Sequence, residues 1–279
     1  MSFGFRRSRV LPSQGRSTIL KCPLHHSRRR STGDSAFSSS RSATKSMLHS
    51  PRMRPNVMSL IMTDMADLLH QSDELATELS ALMELPAYDN SPRITSSRTL
   101  CGVSFEHSES VRILITTGNF TSSLGVLRMQ YEALVKAIWA LYAASENSIT
   151  KLQSNLNPDN AKWADKIPLL GELLVELEGK APAQALGPLN EFKEYSWKPL
   201  SSYIHGGVHA ITRHGKGYPI ELLAQALRSS NGLQVMTGMM LVILSGDTKQ
   251  QGRISKIQQN FVNCCPTLNP HNTALKGSR

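Results

Sequence analysis

From about residue 57 onward, apolar residues recur along the chain at steps of three and four, the period of a helix with one buried face. Residues 58–85 show this pattern most clearly, and Pro86 is expected to end that helix. A polar connector over residues 89–99 predicts a loop. A second helix is expected from about Phe105 to the Gly118-Asn119 pair, which suits a helix stop.

The same period continues toward the C-terminus. A very apolar helix is expected to start at Thr121 or Ser122, and further helices are expected to start at Pro158 and Pro168. Residues 183–197 and 199–213 predict two helices, or one helix bent at Pro199, and the last long helix is expected to start near Pro219. Because no alternating strand pattern is longer than a few positions, the sequence predicts an all-α bundle of six or seven helices.

Charge divides the chain differently from hydropathy. Residues 1–54 hold twelve Lys or Arg and one acid, Asp34, so the formal net charge of +10 belongs to this segment and the remainder is nearly neutral. We therefore expect a disordered basic tail over residues 1–54, a bundle over 55–248 and a disordered polar tail over 249–279. The basic tail fits three interpretations: an organellar transit peptide, an arm that contacts phosphates, or a translation start at Met53, Met58 or Met62.

Several classes of protein lose support. The apolar run 235–244 is about half the roughly 20 residues of a membrane span, so we expect a soluble, cytoplasmic protein that contacts no membrane. The four cysteines form no CxxC pair, and adjacent Cys264 and Cys265 are expected to be free thiols in the polar tail. Neither a glycine-rich phosphate loop nor a Gly-x-Ser-x-Gly motif is present, and no cofactor is expected.

Arg128 and Glu132 are four residues apart in a helix whose other residues are mostly apolar. Two interpretations stay open. They can form an ion pair at the bundle surface, which typically stabilises a helix by about 0.3–0.5 kcal/mol. Alternatively, Arg128 projects into a cleft to hold an anion while Glu132 orients it or a facing histidine.

The segment from Trp197 to His214 concentrates titratable and aromatic groups within a helical pattern. If it is one helix, His205, His209 and Arg213 share a face. His205 could act as a general base with Lys198 or Arg128 holding a phosphate. As alternatives, His205 and His209 could bind a metal with Glu132, or His205 could hydrogen-bond Glu132 or a backbone carbonyl and join two helices.

The runs VLRMQYEAL (126–134) and FKEYSWKPLSSYIHGG (192–207) resemble a family of uncharacterised bacterial helical proteins. These are distantly similar to the HEPN superfamily, which includes ribonucleases and non-catalytic nucleotide-binding bundles. The likeness covers residues 60–245. The resemblance implies that HEPN catalysis pairs an Arg with a His on one helix, with four to six residues between them; here Lys198 takes the place of the Arg, with six residues between it and His205. Lys lacks the bidentate fork of Arg.

Three functional interpretations therefore remain at this point. The first is a HEPN-like protein that cleaves RNA or binds nucleotides, with His205 as base and Arg128, Glu132 and Lys198 around it. The second is a non-catalytic helical protein whose polar groups fix helix register and whose apolar faces form an interface, including a homodimer. The third is a metal-binding bundle that uses His205, His209 and Glu132.

Overall fold

A computed structural model describes residues 55–155 and 167–266, with side chains from residue 63 onward. The tail 1–54, the helix expected at Pro158 and the end of the chain after 266 lie outside the described residues. Within the described ranges the chain is helical and contains no strand, so the prediction of an all-α fold is confirmed. Its α-helices are α1 (Pro55–Ser80), α2 (Pro92–Thr116), α3 (Phe120–Tyr142), α4 (Glu146–Leu152), α5 (Leu170–Leu177), α6 (Ala183–Phe192), α7 (Lys198–Ile204), α8 (Val208–Lys216), α9 (Ile220–Ser245) and α10 (Gln251–Asn260).

The start of α2 differs from the loop expected over residues 89–99. Asp89 Oδ1 accepts a hydrogen bond from the backbone N–H of Ser91 at 2.8 Å, and Ser91 Oγ accepts one from Ile94 N–H. The Ser91 hydroxyl, and after it the Ser91 backbone N–H, lowers the pKa of Asp89. Pro92 opens the helix at a position that needs no N–H donor. The prediction that this proline belongs to a loop was wrong, because a Ser-Pro pair also suits a helix start.

The interior is built from α1, α2, α3 and α9, which pack against one another. Trp139 and Tyr131 are fully buried on α3, with leucines of α1 and α9 around the same core. The polar seam, which we define as Ser104, Gln130, Ser230 and Thr237, runs through this apolar interior. Gln130 Nε2 donates to the Ser230 carbonyl at 2.9 Å, while the Ser230 hydroxyl donates to Gln130 Oε1 at 2.7 Å. Ser104 and Thr237 share a hydrogen bond of 3.1 Å.

The fold continues past residue 248, where a polar tail was expected. The helix α10 buries Ile254 and Ile257, and a short 3₁₀ turn follows at Val262–Cys264. Asn231 Nδ2 donates to the Cys264 carbonyl at 2.7 Å and ties this turn to α9. Cys264 and Cys265 are free thiols, as expected, but both are buried rather than exposed in a tail. The apolar spacing of the two isoleucines was the overlooked signal.

No helix in the described part of the chain is both long enough and apolar enough to cross a membrane. The apolar stretch 235–244 lies instead inside α9, with Leu241 and Leu244 fully buried.

Candidate functional site

The segment Trp197 to His214 forms two helices joined by a bend, which we call the elbow (His205, Gly206 and Gly207). Gly206 has φ +62°, a conformation that favours glycine. Gly207 N–H donates to the Ser202 carbonyl at 2.7 Å, and a Cβ at Gly207 would lie 2.6 Å from Ser202 Oγ. The two glycines therefore have different roles: the first reverses the backbone and the second allows it to approach Ser202.

The elbow overturns the expectation that His205, His209 and Arg213 share one helix face. His205 ends α7 with non-helical dihedral angles, whereas His209 and Arg213 lie one turn apart on α8. Pro199, expected to bend the chain, instead lies within the first turn of α7. The bend falls at the glycines because only there does the backbone take a left-handed conformation within this segment.

Lys198 and His205 bound α7 at opposite ends, and both side chains are exposed. Seven residues of α-helix advance about 10 Å along the axis, so the two groups lie at opposite ends of α7 rather than at one point. Direct cooperation on a single reacting atom would need hydrogen-bond reach or one intervening water. The geometry fits two contacts to an extended anion better than two contacts to one phosphate.

Arg128 is already engaged within the protein. Its Nε donates to Glu132 Oε1 at 2.9 Å, and its guanidinium carbon lies 3.9 Å from the centroid of the Trp197 ring. The Arg128 and Glu132 side chains are only 15% and 28% exposed. A cation over an indole face, closed on another side by a carboxylate, stabilises the contact between α3 and the start of α7. The structure thus brings Arg128, Glu132 and Trp197 together as a packing contact.

An aromatic cluster extends this contact toward α6. The Tyr131 ring stacks on Phe192 with centroids 4.4 Å apart and meets the edge of Trp197 at 6.2 Å. Its hydroxyl donates to the Leu189 carbonyl at 2.8 Å, and burial raises the pKa of Tyr131. Between Phe192 and α7, residues Lys193–Trp197 form one turn of π-helix. Such turns hold one residue more than an α-helical turn and often lie beside functional sites.

Sequence reasoning missed Tyr131, Phe192 and Trp197 as members of this cluster. Tyr131 follows Arg128 by three residues and so shares its helix face, which was a usable signal. Phe192 and Trp197 offered no such signal, because the sequence does not show that the end of α6 and the start of α7 pack beside α3.

A second contact holds α8 against the bundle. The Tyr203 ring lies 6.5 Å from that of Tyr218 and 6.3 Å from the imidazole of His209. Burial raises the pKa of Tyr203, and the positive charge of Arg213 opposes that shift. Arg213 is half-buried, whereas Lys216 at the end of α8 is exposed.

The metal interpretation finds no support in the described residues, where no three His, Cys, Asp or Glu side chains converge in a way that could hold an ion. His205 and His209 lie on either side of the glycine pair, and Glu132 is paired with Arg128.

Charge distinguishes the elbow segment from its surroundings. Residues 195–220 contain Lys198, Arg213 and Lys216, three histidines and no Asp or Glu. Residues 55–92 show the reverse pattern, since they include no Lys or Arg and seven Asp or Glu. A positive surface near α7 and α8 and a negative surface on α1 follow from these two stretches.

Residues 101–267 match the sequence model of a family of unknown function, DUF6988. The matched region begins within α2 and includes Arg128, the π-helical turn, the elbow and the short turn that follows α10. No curated protein and no solved structure matches the chain. Since the match covers more than half of the 279 residues, the chain belongs to the DUF6988 family.

Proposed function

We propose that this protein binds RNA or nucleotides through α7, the elbow and α8, in the manner of the HEPN-like bundles that its sequence resembles. The supporting observation is the acid-free stretch 195–220, in which Lys198 and His205 are exposed on either end of α7. An exposed lysine attracts phosphates, and two exposed donors about 10 Å apart along a helix match more than one phosphate of an extended strand.

Within this proposal His205 is the base for RNA cleavage, and Lys198 is a phosphate contact. Arg128 acts as a positioning residue, because its guanidinium packs on Trp197 directly before Lys198. Glu132 in turn holds Arg128. The basic residues 1–54 are proposed to be a separate tail, and the protein is proposed to act in the bacterial cytoplasm.

The experiment uses the full chain with a fluorescently labelled single-stranded RNA. We expect the wild type to bind RNA with a strong salt dependence, and Lys198→Ala to weaken binding several-fold while reducing that dependence. Replacing His205 with Ala should abolish cleavage but leave most binding intact. The matched control is His70→Ala, which removes an exposed histidine from α1 and should change neither.

Absent RNA and nucleotide binding by the wild type would reject the proposal. If Lys198→Ala binds RNA as tightly as the wild type, the binding site does not lie on α7. If His205→Ala still cleaves RNA, His205 is not the base.

A second candidate is a non-catalytic interaction protein. The closed contact among Arg128, Glu132 and Trp197 favours it, since the guanidinium that an anion site would use is occupied. Under this alternative, Arg128→Ala lowers the melting temperature, and neither the wild type nor Arg128→Ala binds RNA measurably.

A further inference from the structure

The outward side of α8 carries an apolar ridge, which we define as Val208 and Ile211. Val208 is 76% exposed and Ile211 is 69% exposed. They lie one turn apart, while Ala210 is the residue through which α8 is buried against the bundle. Single exposed aliphatic residues are ordinary, but two neighbouring ones on the same side of a short helix indicate a surface that suits a partner.

A histidine and a lysine border this ridge. His209 and Lys216 lie seven residues apart on one flank of α8, and both are exposed. No carboxylate occurs between residues 195 and 220 to neutralise them. The ridge therefore fits an apolar surface that has carboxylates at its border.

A surface of that chemistry exists on the same molecule, between α1 and the start of α9. Its apolar lining comes from Met65, Leu68, Ile220 and Ala224, and Asp64 and Glu221 supply exposed carboxylates. We call this the acidic groove. Arg228 also lines it, and its Nε lies 3.5 Å from the Asn263 carbonyl, a weak hydrogen bond to the chain after α10. Residues 55–92 hold seven Asp or Glu and no Lys or Arg, so the surface of α1 beside the groove is also acidic.

The ridge and the acidic groove are close along the chain. Only Gly217, Tyr218 and Pro219 separate the end of α8 from Ile220, which lines the groove. The ridge does not fill the groove of its own copy, because Val208 and Ile211 are both exposed. A two-fold axis near this connection would instead bring each ridge to the groove of the other copy, because two-fold contacts use the same patch twice.

We propose that a second copy of this chain is the partner, with Val208 and Ile211 of each copy packed on the acidic groove of the other. His209 and Lys216 then face Asp64 and Glu221 across the contact. The carboxylates of the groove disfavour nucleic acid or an anionic membrane at this site, since both would be repelled. The ridge also lacks the aromatic side chains on which bases stack. The contact covers α8 but leaves Lys198 and His205 outside it, so RNA binding by the dimer would use α7 and the elbow alone.

The first test measures molar mass by light scattering and sedimentation across micromolar concentrations of the full chain. The wild type should be a dimer that dissociates on dilution. The double variant Val208→Asp/Ile211→Asp should raise the dissociation constant at least about tenfold, because two central apolar contacts become charges. Val175→Asp is the matched control: Val175 is 64% exposed on α5 and should leave the dimer intact. Circular dichroism checks that each variant keeps its helices.

The second test reverses charges. Asp64→Lys/Glu221→Lys should weaken the dimer by placing cations opposite Lys216, and adding Lys216→Glu should restore much of the affinity. A merely damaged fold would not be rescued in this way.

Four results would overturn the proposal. They are a monomer throughout the concentration range, a dimer insensitive to the ridge variants, open-ended assemblies larger than a dimer, and a monomer that binds vesicles of anionic lipid through the ridge.

Discussion

Polar side chains are buried and paired in the polar seam, whereas they are exposed around the elbow. In the seam, Gln130 and Ser230 are fully buried and exchange two hydrogen bonds between α3 and α9. Around the elbow, Lys198, His205 and Lys216 are exposed, and the chain bends at glycines. Buried polar pairs fix the register of packed helices, whereas exposed cations on short helices are available for partners. Stability is therefore expected to depend on the seam and binding on the elbow.

The largest expected effect comes from breaking the seam. Gln130→Leu removes both hydrogen bonds to Ser230 and leaves a buried hydroxyl without its acceptor. We expect the free energy of unfolding to fall by about 2–4 kcal/mol, measured by urea denaturation. The control Gln225→Leu replaces an exposed glutamine of α9, the helix that carries Ser230, and should change stability by no more than about 0.5 kcal/mol. Equal effects of the two changes would contradict a structural role for the seam.

Replacing glycine with alanine should lower the stability of the protein in the core beside the seam and raise it on α8. At Gly238 on α9, a Cβ would lie 2.9 Å from Leu79 Cδ2 and 3.1 Å from Leu82 Cδ1, so Gly238→Ala should cost about 1–2 kcal/mol. At Gly215 on α8, a Cβ meets open space, and Gly215→Ala should stabilise the helix by about 0.5–1 kcal/mol. Thermal unfolding of both variants checks the comparison. A stabilised Gly238→Ala protein would show that the α1–α9 contact is looser than described.

A substitution in the elbow should lower stability less than one in the core, and its effect should be confined to α8. Gly206→Ala places a side chain at φ +62°, which costs about 1 kcal/mol. We expect faster hydrogen exchange at amides of α8 and unchanged exchange in the centre of α3, because local opening of an exposed helix does not require opening of the core. Exchange that increases equally in both helices would mean that the elbow and the core unfold as one unit.

The smallest effect concerns pH. Burial lowers the pKa of His107 on α2 from its ordinary value of 6.5, and Glu106 opposes that shift. The folded protein thus favours the neutral ring, so its stability is retained above about pH 6.5 and decreases as the pH falls through that value, where the unfolded chain takes up a proton. The free energy of unfolding should differ less between pH 7.5 and pH 5.5 for His107→Gln than for the wild type, as measured by denaturation at each pH. If the difference is the same in both proteins, groups other than His107 cause the pH dependence of stability.

Local chemistry made much of this fold predictable. The Gly118-Asn119 stop before α3 and the start of α9 after Pro219 followed from residues with strong preferences at helix ends. The early start of α2 did not, because Ser91-Pro92 suits both a loop and a helix start. The elbow was missed although Gly206 and Gly207 signalled it, since histidines spaced by four suggested an unbroken helix. The packing of Arg128 on Trp197 depends on contacts between distant parts of the chain, which periodicity does not reveal.

The π-helical turn at Lys193–Trp197 makes this part of the chain tolerant of a change in length. A turn of this kind amounts to one residue inserted into an α-helix. Five residues of π-helix turn through nearly the same angle as four residues of α-helix, so deleting one codon here would leave an ordinary α-helical turn. Lys198 and His205 would then keep nearly their present directions relative to α6. The same deletion inside a regular helix such as α3 would instead rotate the residues that follow by about 100°.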